Sequence, residues 1–156
     1  MPEEKKNKHP LYRYGILLFL LFYVIAAALY PGGNAFNTTA TGFSWRYNYW
    51  CNLLNETAIN GSPNPGARFA KAGMFVLSLS LSLFFISAPS RLQLKDALKR
   101  LIRFTGIAAM VTALLLGSSL PHDWITNLAS GLGLIAMGGL LVGIYRNRLW
   151  VFFWWA

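Results

Sequence analysis

The stretch Gly117-Ser-Ser-Leu-Pro-His-Asp-Trp-Ile-Thr-Asn127 is a short polar segment set between two long uncharged runs. It contains the only adjacent His-Asp pair in the chain, and Asp123 is one of five acidic residues among 156. The flanking runs, residues 104–120 and 124–145, are each long enough to cross a bilayer as a helix. The segment is therefore expected to lie at a membrane face, where an ionisable group is a candidate functional residue.

The composition of the chain indicates an integral membrane protein. Hydrophobic residues make up 55% and charged residues only 12% of the sequence, which is too apolar for an ordinary soluble domain. A net charge of +9 would suggest nucleic-acid binding in a soluble protein, but these cations gather at the ends of apolar runs, where they determine topology. We therefore expect membrane lipids, and no nucleic acid, as partners.

The single cysteine, Cys51, limits the chemistry of the chain. One thiol excludes an internal disulfide and a cysteine-based zinc cluster. The sequence also lacks a metal-ligand spacing motif, so neither a metal nor another cofactor is expected.

Hydrophobic runs predict an all-α protein with one membrane domain over residues 1–156 and four transmembrane helices, at about 14–30, 69–88, 104–120 and 124–145. Residues 149–156 are apolar but too short to cross, and are interpreted as the start of a possible fifth helix. The first run follows a charged segment and contains Ala26-Ala27-Ala28, so it also fits a cleavable signal peptide.

The segment from 31 to 68 is predicted to be a long outer loop with its own structure. From Tyr47 onward, apolar residues recur at helical spacing and asparagines form the opposite stripe, which predicts an amphipathic helix lying on the membrane. A solvated cap is the alternative. The two stripes are Trp50, Cys51, Leu54 and Ala58 against Asn48, Asn52 and Asn55.

Two patterns in the second half of the chain concern helix packing and lipid contact. Four cations, Arg91, Lys95, Lys99 and Arg103, are spaced by four, which indicates either a short basic helix on an anionic leaflet or the base of helix three. Small residues then recur along both later helices and predict an antiparallel hairpin packed through them. They are Gly106, Ala109, Ala113 and Gly117 on helix three, and Ala136, Gly139 and Gly143 on helix four.

The distribution of basic residues predicts orientation. Eleven of the 14 Lys and Arg residues lie before helix one, between helices two and three or after helix four, whereas Arg46, Arg68 and Lys71 lie on the opposite side. This bias predicts a cytoplasmic N-terminus, with the long loop and the His-Asp segment outside.

Four motifs occur along the chain: Tyr30-Pro-Gly-Gly33, residues 48–56 (Asn-Tyr-Trp-Cys-Asn-Leu-Leu-Asn-Glu), residues 60–65 (Asn-Gly-Ser-Pro-Asn-Pro) and His122-Asp123. Together they resemble an uncharacterised bacterial membrane family, the domain of unknown function nine-nine-eight or a close relative. The resemblance implies a multi-span bacterial protein and no defined activity. Members usually have more spans than four, so it also implies a chain truncated at its C-terminus.

Three functional classes follow. The first is a non-catalytic binding, sensory or structural protein with a polar outer pocket, for which the candidate ligand-binding residues are Asn48, Asn52, Arg68 and Asn127. The second is a lipid-handling or lipid-hydrolysing enzyme in which His122 acts as a base held by Asp123, since His titrates near neutral pH. The third is a transporter subunit. We also expect Arg68 to pair with Asp123, because the topology places both at the outer face.

Overall fold

The computed structural model describes residues 12–118 and 120–147, apart from the side chain of Arg13. Four α-helices follow one another along the chain: α1 (Tyr12–Ala28), α2 (Ala67–Ser87), α3 (Asp96–Leu114) and α4 (His122–Arg146). Three short 3₁₀ helices lie at Trp50–Leu54, Ala88–Arg91 and Leu115–Gly117. Over the described ranges the chain forms no strand, so the predicted all-α class is confirmed.

Three helical segments are long and apolar enough to cross a membrane: Ala67–Arg91, Asp96–Gly117 and His122–Arg146. Helix α1 is also apolar, but its 17 residues place it just below that length. The membrane class of the protein is thus supported by three to four helices. The predicted start of a fifth helix, residues 149–156, lies outside the described residues.

The main helix contacts join α1 with α2, α2 with α3 and α3 with α4. Each pair runs antiparallel, so the helices alternate in direction along a row. Helices α1 and α2 approach closely at two glycines, because neither has a side chain. An added Cβ at Gly73 would lie only 3.1 Å from Phe22 Cβ, and one at Gly15 would overlap the Ser80 hydroxyl. That hydroxyl donates to Val76 O at 2.7 Å within its own helix, which satisfies it without a partner from α1.

The α3–α4 hairpin is present, but at its glycines the predicted contact of small residues with small residues is wrong. Gly139 of α4 receives the large side chain of Ile102, whose Cγ1 would lie 2.6 Å from a Cβ at Gly139. Gly106 of α3 faces α2 instead, where the ring of Phe85 occupies the same kind of gap. Each glycine accommodates a bulky neighbour, so the helices interlock large against small, as close-packed interiors do.

Helix α3 begins eight residues earlier than the predicted run at 104. Its first turns contain Lys99, Arg100 and Arg103, so these cations form the base of α3 and not a separate surface helix. The remaining basic residues of this region, Arg91 and Lys95, lie in the connection from α2. We call this end of the helices the basic end, and the opposite end, beside the long loop, the loop end.

The predicted amphipathic helix of the loop is wrong in extent. Only Trp50–Leu54 is helical, and it is a 3₁₀ helix of five residues. The side chain of Asn48, the first asparagine of the predicted stripe, bonds to the backbone and so competes with helix formation. Its Oδ1 accepts from Ser44 N at 2.9 Å and its Nδ2 donates to Gly33 O at 2.8 Å.

The loop packs down onto the helices as a cap. Leu53 and Leu54 are buried in a core at the loop end that also contains residues of α1, of the start of the loop and of α2: Tyr23, Ala26, Ala27, Tyr30 and Ala70. Tyr30 further ties the loop down, since its hydroxyl accepts a hydrogen bond from Ile59 N at 3.1 Å. The predicted alternative of a cap therefore describes the loop better than a surface helix does.

Candidate functional site

The cap leaves a cavity of about 200 Å³ between itself and the ends of α2 and α3. We call this cavity the loop-end pocket. Leu54 comes from the loop, and Lys71 and Met74 come from the first turns of α2. The remaining lining residues come from the end of α3 and from the 3₁₀ turn that follows it: Ala113, Leu114, Gly117 and Ser118.

Among the described residues that line this pocket, Lys71 alone has a side chain that is charged at neutral pH. Its aliphatic stem lies over Gly117, where a Cβ would come within 3.4 Å of Lys71 Cε. The glycine at the end of the 3₁₀ turn after α3 therefore makes room for a lysine from α2. Long cationic side chains commonly bury their stems in this way and keep the charge at the polar edge.

The ammonium group of Lys71 donates to Glu56 Oε1 of the loop. Both partners reach solvent, with 36% of the Lys71 side chain and 75% of the Glu56 side chain exposed. An exposed ion pair contributes under about 1 kcal/mol to stability. The Glu56 carboxylate can therefore exchange for another anion at little cost.

The structure places His122 and Asp123 in the first turn of α4, away from this lining. His122 Nδ1 lies 3.9 Å from Asp123 Oδ1, and the two side chains are 49% and 97% exposed. That separation exceeds a hydrogen bond, so Asp123 does not hold the imidazole ring as the enzyme hypothesis requires. Instead Thr126 Oγ1 lies 3.4 Å from the same nitrogen.

Asp123 does not cap α4 either, since the helix begins one residue before it and has no side-chain cap. Its carboxylate still stabilises α4, because negative charge near a helix N-terminus interacts favourably with the helix dipole. The expected pair of Arg68 with Asp123 is wrong: over the described ranges, Lys71 pairs with Glu56 and Lys99 with Asp96, and the ring beside Asp123 is that of His122.

The four candidate ligand-binding residues are not brought together. Asn48 is buried and bonded within the loop, whereas Asn52 is half-buried in the 3₁₀ helix. Arg68 and Asn127 are both exposed, on the first turns of α2 and α4. None of the four lines the loop-end pocket, and their assignment to ligand binding stays a prediction.

Sequence reasoning missed the part played by Lys71 and Glu56. The available signal was their charge. On the predicted outer face, Glu56 is one of only two acidic residues and Lys71 is one of only three cations. Their pairing depends on how the loop folds back, which periodicity does not specify. Within the described residues, no group of three or more His, Cys, Asp or Glu side chains is placed to hold a metal ion.

Comparison of the chain with protein-family models, with curated proteins and with solved structures found no match. The resemblance to the uncharacterised bacterial family stays a prediction.

Proposed function

We propose that the chain is a non-catalytic membrane protein that binds one small anionic amphipathic ligand in the loop-end pocket. The observation that supports this most directly is the position of Lys71, whose charge sits at the mouth of an otherwise uncharged cavity. Its counter-ion is an exposed loop carboxylate, which an incoming anion can replace.

The rest of the lining suits the apolar part of such a ligand. Leu54, Met74 and Leu114 provide aliphatic contact, and methionine adapts its shape to irregular ligands. A cavity of about 200 Å³ holds a head group with the first part of an alkyl chain. Its position at the ends of the helices allows the remaining chain to lie along the apolar helix surface.

A non-catalytic role is favoured over lipid hydrolysis because general acid–base catalysis needs a positioned pair of groups. The His122 and Asp123 side chains are exposed and 3.9 Å apart, and they lie outside the pocket lining.

We further propose a bacterial inner membrane, with the N-terminus in the cytoplasm and the loop end outside. The basic residues support this orientation: Arg91, Lys95, Lys99, Arg100 and Arg103 all lie at the basic end, in agreement with the positive-inside rule. The proposed ligand would then enter from the outer leaflet or the space beyond it.

Binding of dodecanoate to the purified full chain in detergent tests the proposed pocket. Lys71→Gln should weaken binding about tenfold, because it removes a hydrogen bond to a charged group. Glu56→Gln should strengthen binding, because the competing carboxylate is lost. Isothermal titration calorimetry provides the affinities, and neutral dodecanol should bind the native chain and Lys71→Gln equally.

The matched control is Arg68→Gln, which removes an exposed cation from the same turn of α2 without touching the pocket lining. It should leave dodecanoate affinity unchanged. If Arg68→Gln and Lys71→Gln weaken binding equally, the effect is general attraction by positive charge and the pocket is not the site.

A further inference from the structure

A second cavity, of about 380 Å³, lies at the basic end. We call it the basic pocket. It is formed between the connection that follows α2 and the first turns of α3, and its lining consists of one serine, one acid and three cations: Ser90, Asp96, Lys99, Arg100 and Arg103. It is separated from the loop-end pocket by the length of the helices and shares no lining residue with it.

Arg103 is held in a defined position in this pocket. Its Nε donates to Ile86 O at 3.1 Å in the last turn of α2, and its Nη2 donates to Ser90 Oγ at 2.6 Å. A guanidinium group has five N–H donors in a planar fork that matches phosphate and carboxylate oxygens. Three donors therefore remain for an anion, on a group that is already oriented.

The cations of the basic pocket have little compensating charge within it. Lys99 Nζ lies 4.0 Å from Asp96 Oδ1, at the outer limit of an ion pair. The Lys99 side chain is only 24% exposed, whereas that of Asp96 is 88% exposed. Three cations thus face one distant, solvated carboxylate, and partly desolvating uncompensated charge is unfavourable. A bound anion would relieve this repulsion.

We propose that the basic pocket binds the phosphate group of an anionic membrane lipid. Phosphate accepts several hydrogen bonds at once and pairs with guanidinium in bidentate geometry. Basic pockets between membrane helices are a recurrent solution for holding such head groups. This site is independent of the ligand proposed for the loop-end pocket.

The helix surfaces next to the pocket favour a lipid over a soluble phosphate. On α2, Leu79, Leu83 and Ile86 are exposed at helical spacing below Ser90, on the face that carries the bonded Ile86 carbonyl. On α3, Ile107 and Met110 follow Arg103 at the same spacing. We call these two rows of apolar residues the apolar lanes. Both rows lead away from the cations, in the direction that the acyl chains of a lipid would take if its head group were bound in the basic pocket.

The test measures binding of short-chain phosphatidylglycerol to the purified full chain by native mass spectrometry. Lys99→Gln and Arg100→Gln should each lower the affinity about fivefold, the loss expected for one cation near an anionic lipid. Asp96→Asn should raise the affinity, because it removes the acid of the pocket. Phosphatidylcholine, which carries no net charge, should bind more weakly than phosphatidylglycerol.

Two exposed cations of the same connection, Arg91 and Lys95, provide the matched controls, since neither lines the pocket. Arg91→Gln and Lys95→Gln should change the affinity little. Losses equal to those at Lys99 and Arg100 would mean diffuse attraction and overturn the proposal. Arg103 is left unchanged because its bond to Ile86 O also supports the end of α2.

Inorganic phosphate separates the two sources of the anion. It should displace phosphatidylglycerol poorly, because it gains nothing from the apolar lanes. Displacement at equal concentrations would identify a soluble phosphate site and overturn the lipid assignment. If Lys99→Gln lowers the melting temperature, its loss of lipid binding could come from unfolding, and Asp96→Asn then provides the test. Unchanged or weaker lipid binding by Asp96→Asn contradicts the proposal.

Discussion

Glycine positions in these helices differ in what surrounds them. A Cβ at Gly106 would lie 2.7 Å from Phe85 Cβ, whereas one at Gly131 would meet nothing within 4 Å. Glycine therefore allows a close approach of two helices at position 106, whereas at position 131 no neighbouring group requires the absence of a side chain.

We expect Gly106→Ala to lower the free energy of unfolding by about 1 to 3 kcal/mol, because the added methyl group forces α2 and α3 apart. Gly131→Ala should leave stability unchanged or raise it by up to about 1 kcal/mol, since alanine favours helix more than glycine does. Unfolding in detergent, followed by circular dichroism, provides the comparison. Equal losses at both glycines would contradict the close contact of α2 with α3.

At the residue scale the sequence predicts which helix faces carry small residues, but not what those faces meet. The spacing of Gly106 and Gly139 is visible in the chain. Their partners, Phe85 and Ile102, are ordinary large apolar residues that any helix contains. To identify these partners one must know how each helix is rotated about its axis, and that rotation is determined by packing against the neighbouring helices.

The loop shows how an element can follow one pattern in sequence and another in space. Asn64 is buried, and its Nδ2 donates to Asn55 O at 2.9 Å while its Oδ1 accepts from Gly66 N at 3.0 Å. One side chain thus joins the segment after the 3₁₀ helix to the start of α2. These tertiary bonds outweigh the weak helical propensity of a short segment.

Asn64→Ala should destabilise the cap by about 1 to 3 kcal/mol, because it leaves buried backbone groups without partners. The control is Asn60→Ala, since the side chain of exposed Asn60 accepts a hydrogen bond from Ser62 N within its own turn. Hydrogen exchange of the Leu53 and Leu54 amides measures the effect. Equal protection of these amides in the native chain and Asn64→Ala would show that Asn64 does not hold the cap.

For the whole molecule, composition and hydrophobic runs suffice to predict the helical membrane class and the order of the helices, with ends shifted by a few residues except at the start of α3. The loop-end pocket was not predictable to the same degree. It depends on Lys71 meeting Gly117 and Glu56, which lie 46 and 15 residues away in the chain. Such contacts are determined by tertiary packing and produce no periodic pattern in the sequence.

The proposed orientation is also a property of the whole molecule, and the single Cys51 in the loop allows it to be measured. An impermeant thiol reagent should label Cys51, which is partly exposed, in intact spheroplasts. A Gln93→Cys variant in a Cys51→Ser background moves the thiol to the basic end and should react only after permeabilisation. The reverse pattern would invert the topology.

The order of contacts has a consequence for how the chain assembles during synthesis. Since the main helix contacts join neighbours in sequence, each helix meets its partner already in the membrane when it emerges, and such local contacts form fast. One bond departs from this order: Gln93 N donates to Asn147 Oδ1 at 3.1 Å across 54 residues. We expect it to close last, so the α2–α3 connection is secured only after the ribosome has completed α4.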